Sequence, residues 1–317
     1  MRHDFFNFGR GLLMGGADII PGVSGGTVAL VLGIYERLVT AISHFDLQFL
    51  KHLSQRQWRS AASRVDLRFL LALAVGILLG ILTFGSLMNH LLTTEATRSS
   101  TLAGFFGAIL ASCVIVFRIV DWKSSRELGF YLILEIIAIA IAFGLTRIPV
   151  RTGEDPALWY IFVCGMVAIC AMILPGISGA FILLILGVYV HLTDYIRGIP
   201  RGEISPEAVS TVAVFAIGCA IGLISFSKVL RWLLSDHQSA TMAVMCGLML
   251  GALNKIWPFQ NDLTPELHDL KHKAYANYIP HVIDAEVVRC FIIAVLAGGA
   301  ILALDRFVKQ SAAESPN

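Results

Sequence analysis

PGVSGGTVALVLGIY, residues 21–35, and PGISGAFILLILGVY, residues 175–189, align without a gap and share eight of fifteen positions. The likeness continues outward: GILLGILTFGSLMNHLL from Gly76 matches GCAIGLISFSKVLRWLL from Gly218, and TLAGFFGAILAS from Thr101 matches TMAVMCGLMLGA from Thr241. The chain is an internal duplication. Each copy of the opening motif sits midway in an apolar segment of over thirty residues, 8–39 and 159–192. An unbroken helix of that length would be about 48 Å long, against a hydrocarbon core of about 30 Å. Proline removes a backbone donor and clashes with the preceding turn, so a break is expected at Pro21-Gly22 and at Pro175-Gly176. Two short helical arms meeting at a Pro-Gly tip make a re-entrant hairpin, whose irregular backbone needs protein or water around it. A single kinked, spanning helix is the other reading of each segment.

Composition sets the class. Of 317 residues, 56% are hydrophobic and 15% charged, with mean hydropathy +0.76. Soluble domains run at about half apolar and about a quarter charged, so the expected fold class is all-α, polytopic and membrane-embedded. The net charge of +2 excludes a nucleic-acid binder. The six cysteines all lie in apolar stretches, not in the loop positions of a disulfide scaffold. MRHDFFNFGR leads into a glycine-rich stretch with no small-residue cleavage site, so no cleaved leader is expected.

Six further stretches match the roughly 20 residues needed to cross a bilayer: 67–91, 102–120, 129–148, 209–234, 241–257 and 287–307. The first repeat is then 1–150 and the second 151–317, each one hairpin followed by three spans. An odd number of spans per half turns the second half upside down, the inverted-repeat plan of secondary transporters. With both termini cytoplasmic, fifteen of the 24 Lys and Arg fall inside and eight outside, with Arg289 in the last span, as the positive-inside rule requires. Letting both broken segments span, with the N-terminus outside, gives fourteen against nine, so arm length and not charge separates the two topologies. Between residues 43 and 66, Phe45, Phe49 and Leu53 recur at helical spacing beside Lys51, His52, Arg56, Trp58 and Arg59. That stretch reads as an amphipathic helix on anionic lipid, or as a basic cytoplasmic loop. His268 and His272 in the polar loop 258–285 are four apart but lack a further ligand, so no metal is expected.

The tips carry the candidate chemistry. Glycines leave N–H groups uncovered, and a following helix N-terminus favours an anion. The expected phosphate-binding set is therefore Gly22, Ser24, Gly25, Gly26 and Thr27 with Gly176, Ser178 and Gly179, the tips being made by Pro21 and Pro175. Close helix packing by small residues is the competing explanation. Ionisable residues at membrane depth are functional candidates. Asp18 and Glu135 are expected to carry a proton or line a polar cavity, and Arg37, Arg118, Lys228 and Arg231 to touch a headgroup or snorkel to the interface. Asp18, Gly26 and Thr27 face Met172, Ala180 and Phe181 in the second copy, so the first tip is the more polar. Neither His-Glu-x-x-His nor a nucleotide-binding Gly-x-x-x-x-Gly-Lys loop occurs, and no histidine sits in a lipid-phosphatase setting, so no enzyme and no cofactor are expected.

GGADIIPGVSGGTVALVLGIYERL, with its echo ILPGISGAFILLILGVY, resembles the bacterial polyprenyl-phosphate transporter family, once known only as a domain of unknown function. The resemblance runs from Phe8 to about Phe307. It implies a multi-pass protein of the bacterial inner membrane that returns undecaprenyl phosphate, or a related polyprenyl phosphate, from the outer to the cytoplasmic leaflet for reuse in envelope synthesis. Its partners are then that lipid and the membrane lipids around it; a proton on Asp18 or Glu135 as a coupling device rests on the cost of ionisable groups at membrane depth and not on the resemblance. The residues alone also fit a small-anion permease or ion channel built on re-entrant hairpins, or a membrane enzyme or scaffold acting on envelope lipids. Nothing in the sequence sets an oligomeric state.

Overall fold

The computed structural model describes residues 2–18, 24–148, 156–198, 205–264, 273 and 275–313. Among them, the first broken segment forms three helices: α1 (Arg2–Asp18), α2 (Gly25–Val31) and α3 (Tyr35–Ser43). Two short helices follow, α4 (Leu47–Ser54) and α5 (Trp58–Arg64), and then three long ones, α6 (Leu67–Thr93), α7 (Glu95–Phe117) and α8 (Ser125–Thr146). The second half repeats the order with α9 (Leu158–Ile173), α10 (Gly179–Ile185), α11 (Tyr189–Gly198), α12 (Pro206–Asp236), α13 (Gln238–Ala252) and α14 (Ala285–Ala313). Between α13 and α14, β1 (Gln260–Asp262) pairs antiparallel with β2 (Tyr275–Asn277). Among the described residues, six helices are long and apolar enough to cross a membrane, and they overlap the six stretches expected from hydropathy.

The broken segments contain a second break beyond the expected two-arm hairpin. α2 is only seven residues long, and α3 leaves it at a bend of 118°. The cause is a glycine: Gly33 has φ +66°, and Gly33 N and Ile34 N donate to Leu30 O and Ala29 O, closing a Schellman turn. Gly187 (φ +76°) does the same for α10, where Gly187 N and Val188 N donate to Leu184 O and Leu183 O. The basic stretch after α3 is also two helices. Asp46 caps α4 by accepting from Phe49 N at 2.9 Å and pairs with Arg64 of α5. Leu47, Leu50 and Trp58 are left exposed there.

Small residues let the long helices touch. Gly11 and Gly15 of α1 lie against the Leu73 and Ile77 carbonyls of α6, and Gly76 and Gly80 of α6 against the Phe8 and Leu12 carbonyls of α1. Gly218 and Gly222 of α12, which align with Gly76 and Gly80, press on Phe162 and Met166 of α9 in the same way. Such small-xxx-small faces suit helix pairing where no hydrophobic force separates helix from lipid. The next helices cross between halves. Gly107 of α7 abuts Ala294 of α14, while its counterpart Gly247 of α13 abuts Glu135 and Ala138 of α8. α13 is the most enclosed span, 67% buried over its apolar window, whereas α14 is 11% buried and faces outward. The core therefore runs along α7 and α13, with Met242, Met245 and Met249 filling it beside Tyr35 and Phe69.

Candidate functional site at the two hairpin tips

The two tips meet each other. Ser24 is extended (φ −122°, ψ 139°) and caps α2: its Oγ accepts from Gly26 N at 3.1 Å and donates to Met172 O, also at 3.1 Å. Tyr35, at the start of α3, donates from its hydroxyl to Ile173 O at 3.1 Å. Met172 and Ile173 end α9, where carbonyls have no partner within their own helix. The first broken segment thus satisfies the C-terminal carbonyls of α9 in the second. In return Gly176 N, in the second tip, donates to Thr27 Oγ1 at 3.0 Å. Ser24, Thr27 and Tyr35 are each at most 3% exposed, so each of these bonds is worth more kept than its modest net energy suggests. Losing one partner would strand the other at a cost of about 1–3 kcal/mol.

Backbone geometry explains the glycines. Gly176 has φ +86°, and a side chain there would meet Met249 Cα at 2.8 Å. A side chain on Gly26 would meet Ile173 O at 2.6 Å, and one on Gly25 the Asp18 carboxylate at 2.8 Å. Gly179 is closed by Ala168 O at 2.7 Å. Asp18 ends α1 and accepts from Gly25 N at 2.5 Å, so a carboxylate already holds one of the amides that an anion would use. Ser178 precedes α10 without capping it, and Pro175 is buried. Pro21 and Gly22 lie outside the described residues, as do His268 and His272.

Not all of the expected residues gather here. Glu135 is buried on α8, where its carboxyl interacts with the Cys246 thiol of α13. Arg37, Arg118, Lys228 and Arg231 are all exposed, and none bonds to a tip residue among the described residues. Arg37 pairs with Asp66 at 2.6 Å and lies 4.3 Å over the Phe69 ring, while Arg231 donates to Ser43 Oγ at 3.0 Å. Bonds from Gln238 Nε2 to Glu36 and from Asp121 N to Ser239 Oγ bring α3 and the loop after α7 to the start of α13, which α12 precedes.

Two residues that pattern reading passed over belong with the tips. Tyr35 closes both copies of the motif, as Tyr35 and Tyr189, and that identity was its signal. Lys255 counted only as one outer cation. Its ammonium lies 4.7 Å over the ring of Phe181, the second-copy residue matched to Thr27, with no carboxylate in ion-pair range among the described residues. Only the fold brings the turn at Leu253–Ile256 against α10.

Among the described residues, six helices long and apolar enough to span, around two interlocked broken segments, describe a polytopic helical membrane protein. Residues 14–272 match the family described as undecaprenyl phosphate translocase-like, and the chain belongs to that family. It is 37% identical over 257 residues to the polyprenyl-phosphate transporter of Vibrio cholerae serotype O1, covering 80% of this chain and 78% of that one. It is 31% identical over 262 residues to the polyprenyl-phosphate transporter of Staphylococcus aureus, covering 80% of this chain and 86% of that one. No solved structure matches.

Proposed function

We propose that the protein moves undecaprenyl phosphate, or a related polyprenyl phosphate, from the outer to the cytoplasmic leaflet of the bacterial inner membrane. The observation that carries this reading is the set of hydrogen bonds locking one tip to the other: Ser24 to Met172, Tyr35 to Ile173 and Gly176 to Thr27. A charged headgroup cannot pass an apolar core unaided, and two polar tips sealed against each other make a barrier that can part. Parting them releases the Ser24 and Thr27 hydroxyls and the Gly176 amide. With the Ser178 hydroxyl and the Gly26 amide, these are the donors that would receive the phosphate, five of the eight residues anticipated from the paired motifs. The tail stays apolar throughout.

The halves enter the membrane in opposite senses, with both termini cytoplasmic. The shortness of the arms on either side of each Pro-Gly break supports this, as does the exchange by which each half's second span packs on the other's third. Lys255 then serves the outer approach, and Arg37 and Arg231 the inner one. Asp18 is the coupling group. A phosphate approaching Gly25 N competes with the Asp18 carboxylate for that amide, and a proton on Asp18 removes the repulsion between them. Asp18→Asn should bind lipid but lose the response of transport to an imposed pH gradient. Undiminished gradient dependence in that variant would move the proton to Glu135 or remove coupling altogether.

The test is a leaflet-resolved assay of undecaprenyl phosphate in vesicles that contain only this protein. Transbilayer movement of the lipid is expected. Ion flux without lipid movement would favour a channel, and conversion of the lipid would favour an enzyme.

A further inference from the structure

An apolar cavity of about 390 Å³ lies between α3, α6 and α12, lined by Leu38 and Ile42, Leu70 and Ile77, and Ala220 and Ile224. That volume is within the range of ligand sites, roughly 300–1,000 Å³. Ala220 is exposed, so the cavity opens on the face the spans turn to lipid. Its lining on α12 is one stripe of the helix, and the same stripe runs on to Arg231, two turns beyond Ile224, about 10.5 Å. Arg231 ends the stripe against Ser43, the neighbour of Ile42, through a 3.0 Å bond from Nη1 to the hydroxyl. Among the described residues it has no carboxylate partner, unlike Arg37 of α3, which is held by Asp66. A guanidinium with donors to spare therefore stands just past one end of a slot that offers nothing but hydrocarbon.

We propose that this cavity seats part of the isoprenoid tail of a polyprenyl phosphate while Arg231 holds its phosphate at the end of the slot beside Ser43. The inference rests on the transport reading above and adds a tail site to it. The occupant is chosen by the pairing of features. An apolar chain alone would leave Arg231 without an anionic partner, and a free phosphate would leave the slot empty. A lipid with a single phosphate headgroup and a long hydrocarbon tail meets both. An arginine suits this place because its planar fork binds phosphate bidentately.

The experiment is photocrosslinking of the full-length protein in nanodiscs with an undecaprenyl phosphate analogue that carries a diazirine in the tail segment nearest the headgroup. Label should map to α3, α6 and α12 around the cavity. Unlabelled undecaprenyl phosphate should compete, whereas undecaprenol and phosphatidylglycerol should not. Arg231→Gln should lower labelling about tenfold with an unchanged melting profile, and Arg231→Lys should restore part of it. Ala220→Trp, which fills the slot from its exposed side, should lower labelling too, while Val295→Trp on the outer face of α14 should leave it as it was. Label spread evenly over lipid-facing helices, or displaced equally by phosphatidylglycerol, would mark ordinary bilayer contact and overturn the proposal. So would labelling indifferent to both Arg231→Gln and Ala220→Trp. Specific label confined to the hairpin tips would overturn the tail site and leave the transport reading standing. No specific label anywhere would overturn both.

Discussion

Thr27 shows how one hydroxyl serves the contact between the halves. It accepts from Gly176 N at a point where Gly176 must hold φ +86° and has no room for a side chain. Thr27→Val keeps the shape and removes the acceptor, leaving a buried N–H unpaired; the expected loss is about 1–3 kcal/mol. Thr27→Ser keeps the acceptor and should recover most of it. Thermal unfolding in one detergent checks both, and a valine variant as stable as its parent would mean that Gly176 N finds another partner. The asymmetry between the copies also takes on meaning at this scale. Asp18, Gly26 and Thr27 each make a contact at the first tip that Met172, Ala180 and Phe181 cannot reproduce. Met172 contributes its backbone carbonyl instead, and Phe181 its ring to Lys255.

The short helices are governed by where their chains can stop. Gly33 has open space around its absent side chain, so Gly33→Ala meets no clash and isolates the backbone cost of positive φ, about 1–2 kcal/mol. Gly33→Asn should cost less, because asparagine tolerates that conformation, and chemical denaturation of the three proteins orders them. The pair α4 and α5 depends instead on charge. Asp46 is held below the usual carboxylate range, first by its hydrogen bond to Arg64, with burial opposing and the Phe49 amide assisting. A carboxyl with a depressed folded pKa stabilises fully above its unfolded value, near 3.8, and loses that contribution as the pH falls below it. Proteolysis between α4 and α5 should accelerate on acidification below about pH 4. In Asp46→Asn it should be faster already at pH 7 and change little with acid. Cleavage independent of pH in the parent would show that the pair does not hold these helices together.

Across the whole molecule, the interlocked halves predict a topology. Gln55, between α4 and α5, and Asp194, on α11, are exposed and belong to corresponding sides of the two repeats. In opposed halves, single cysteines at these positions should react with a membrane-impermeant maleimide from opposite faces of sealed vesicles. Labelling of both from one face would end the inverted reading. The native cysteines sit in the buried or half-buried parts of helices and add little background.

Periodicity and duplication determined the helical class, the six spans and the two Pro-Gly interruptions, because an apolar run of about 20 residues has one stable form in hydrocarbon and proline cannot continue it. The positive-φ glycines were legible as well, since Gly33 and Gly187 stand in the quoted motif; reading the break at proline alone hid the second bend. What the sequence could not assign was the partner of each polar group. That Ser24 bonds Met172, that Thr27 receives Gly176, and that Lys255 overlies Phe181 are contacts between residues far apart in the chain. Phosphate-binding and tip-to-tip locking require the same residue types, small, hydroxylated and rich in free amides. Only the packing of one broken segment on the other decided which partners those groups have.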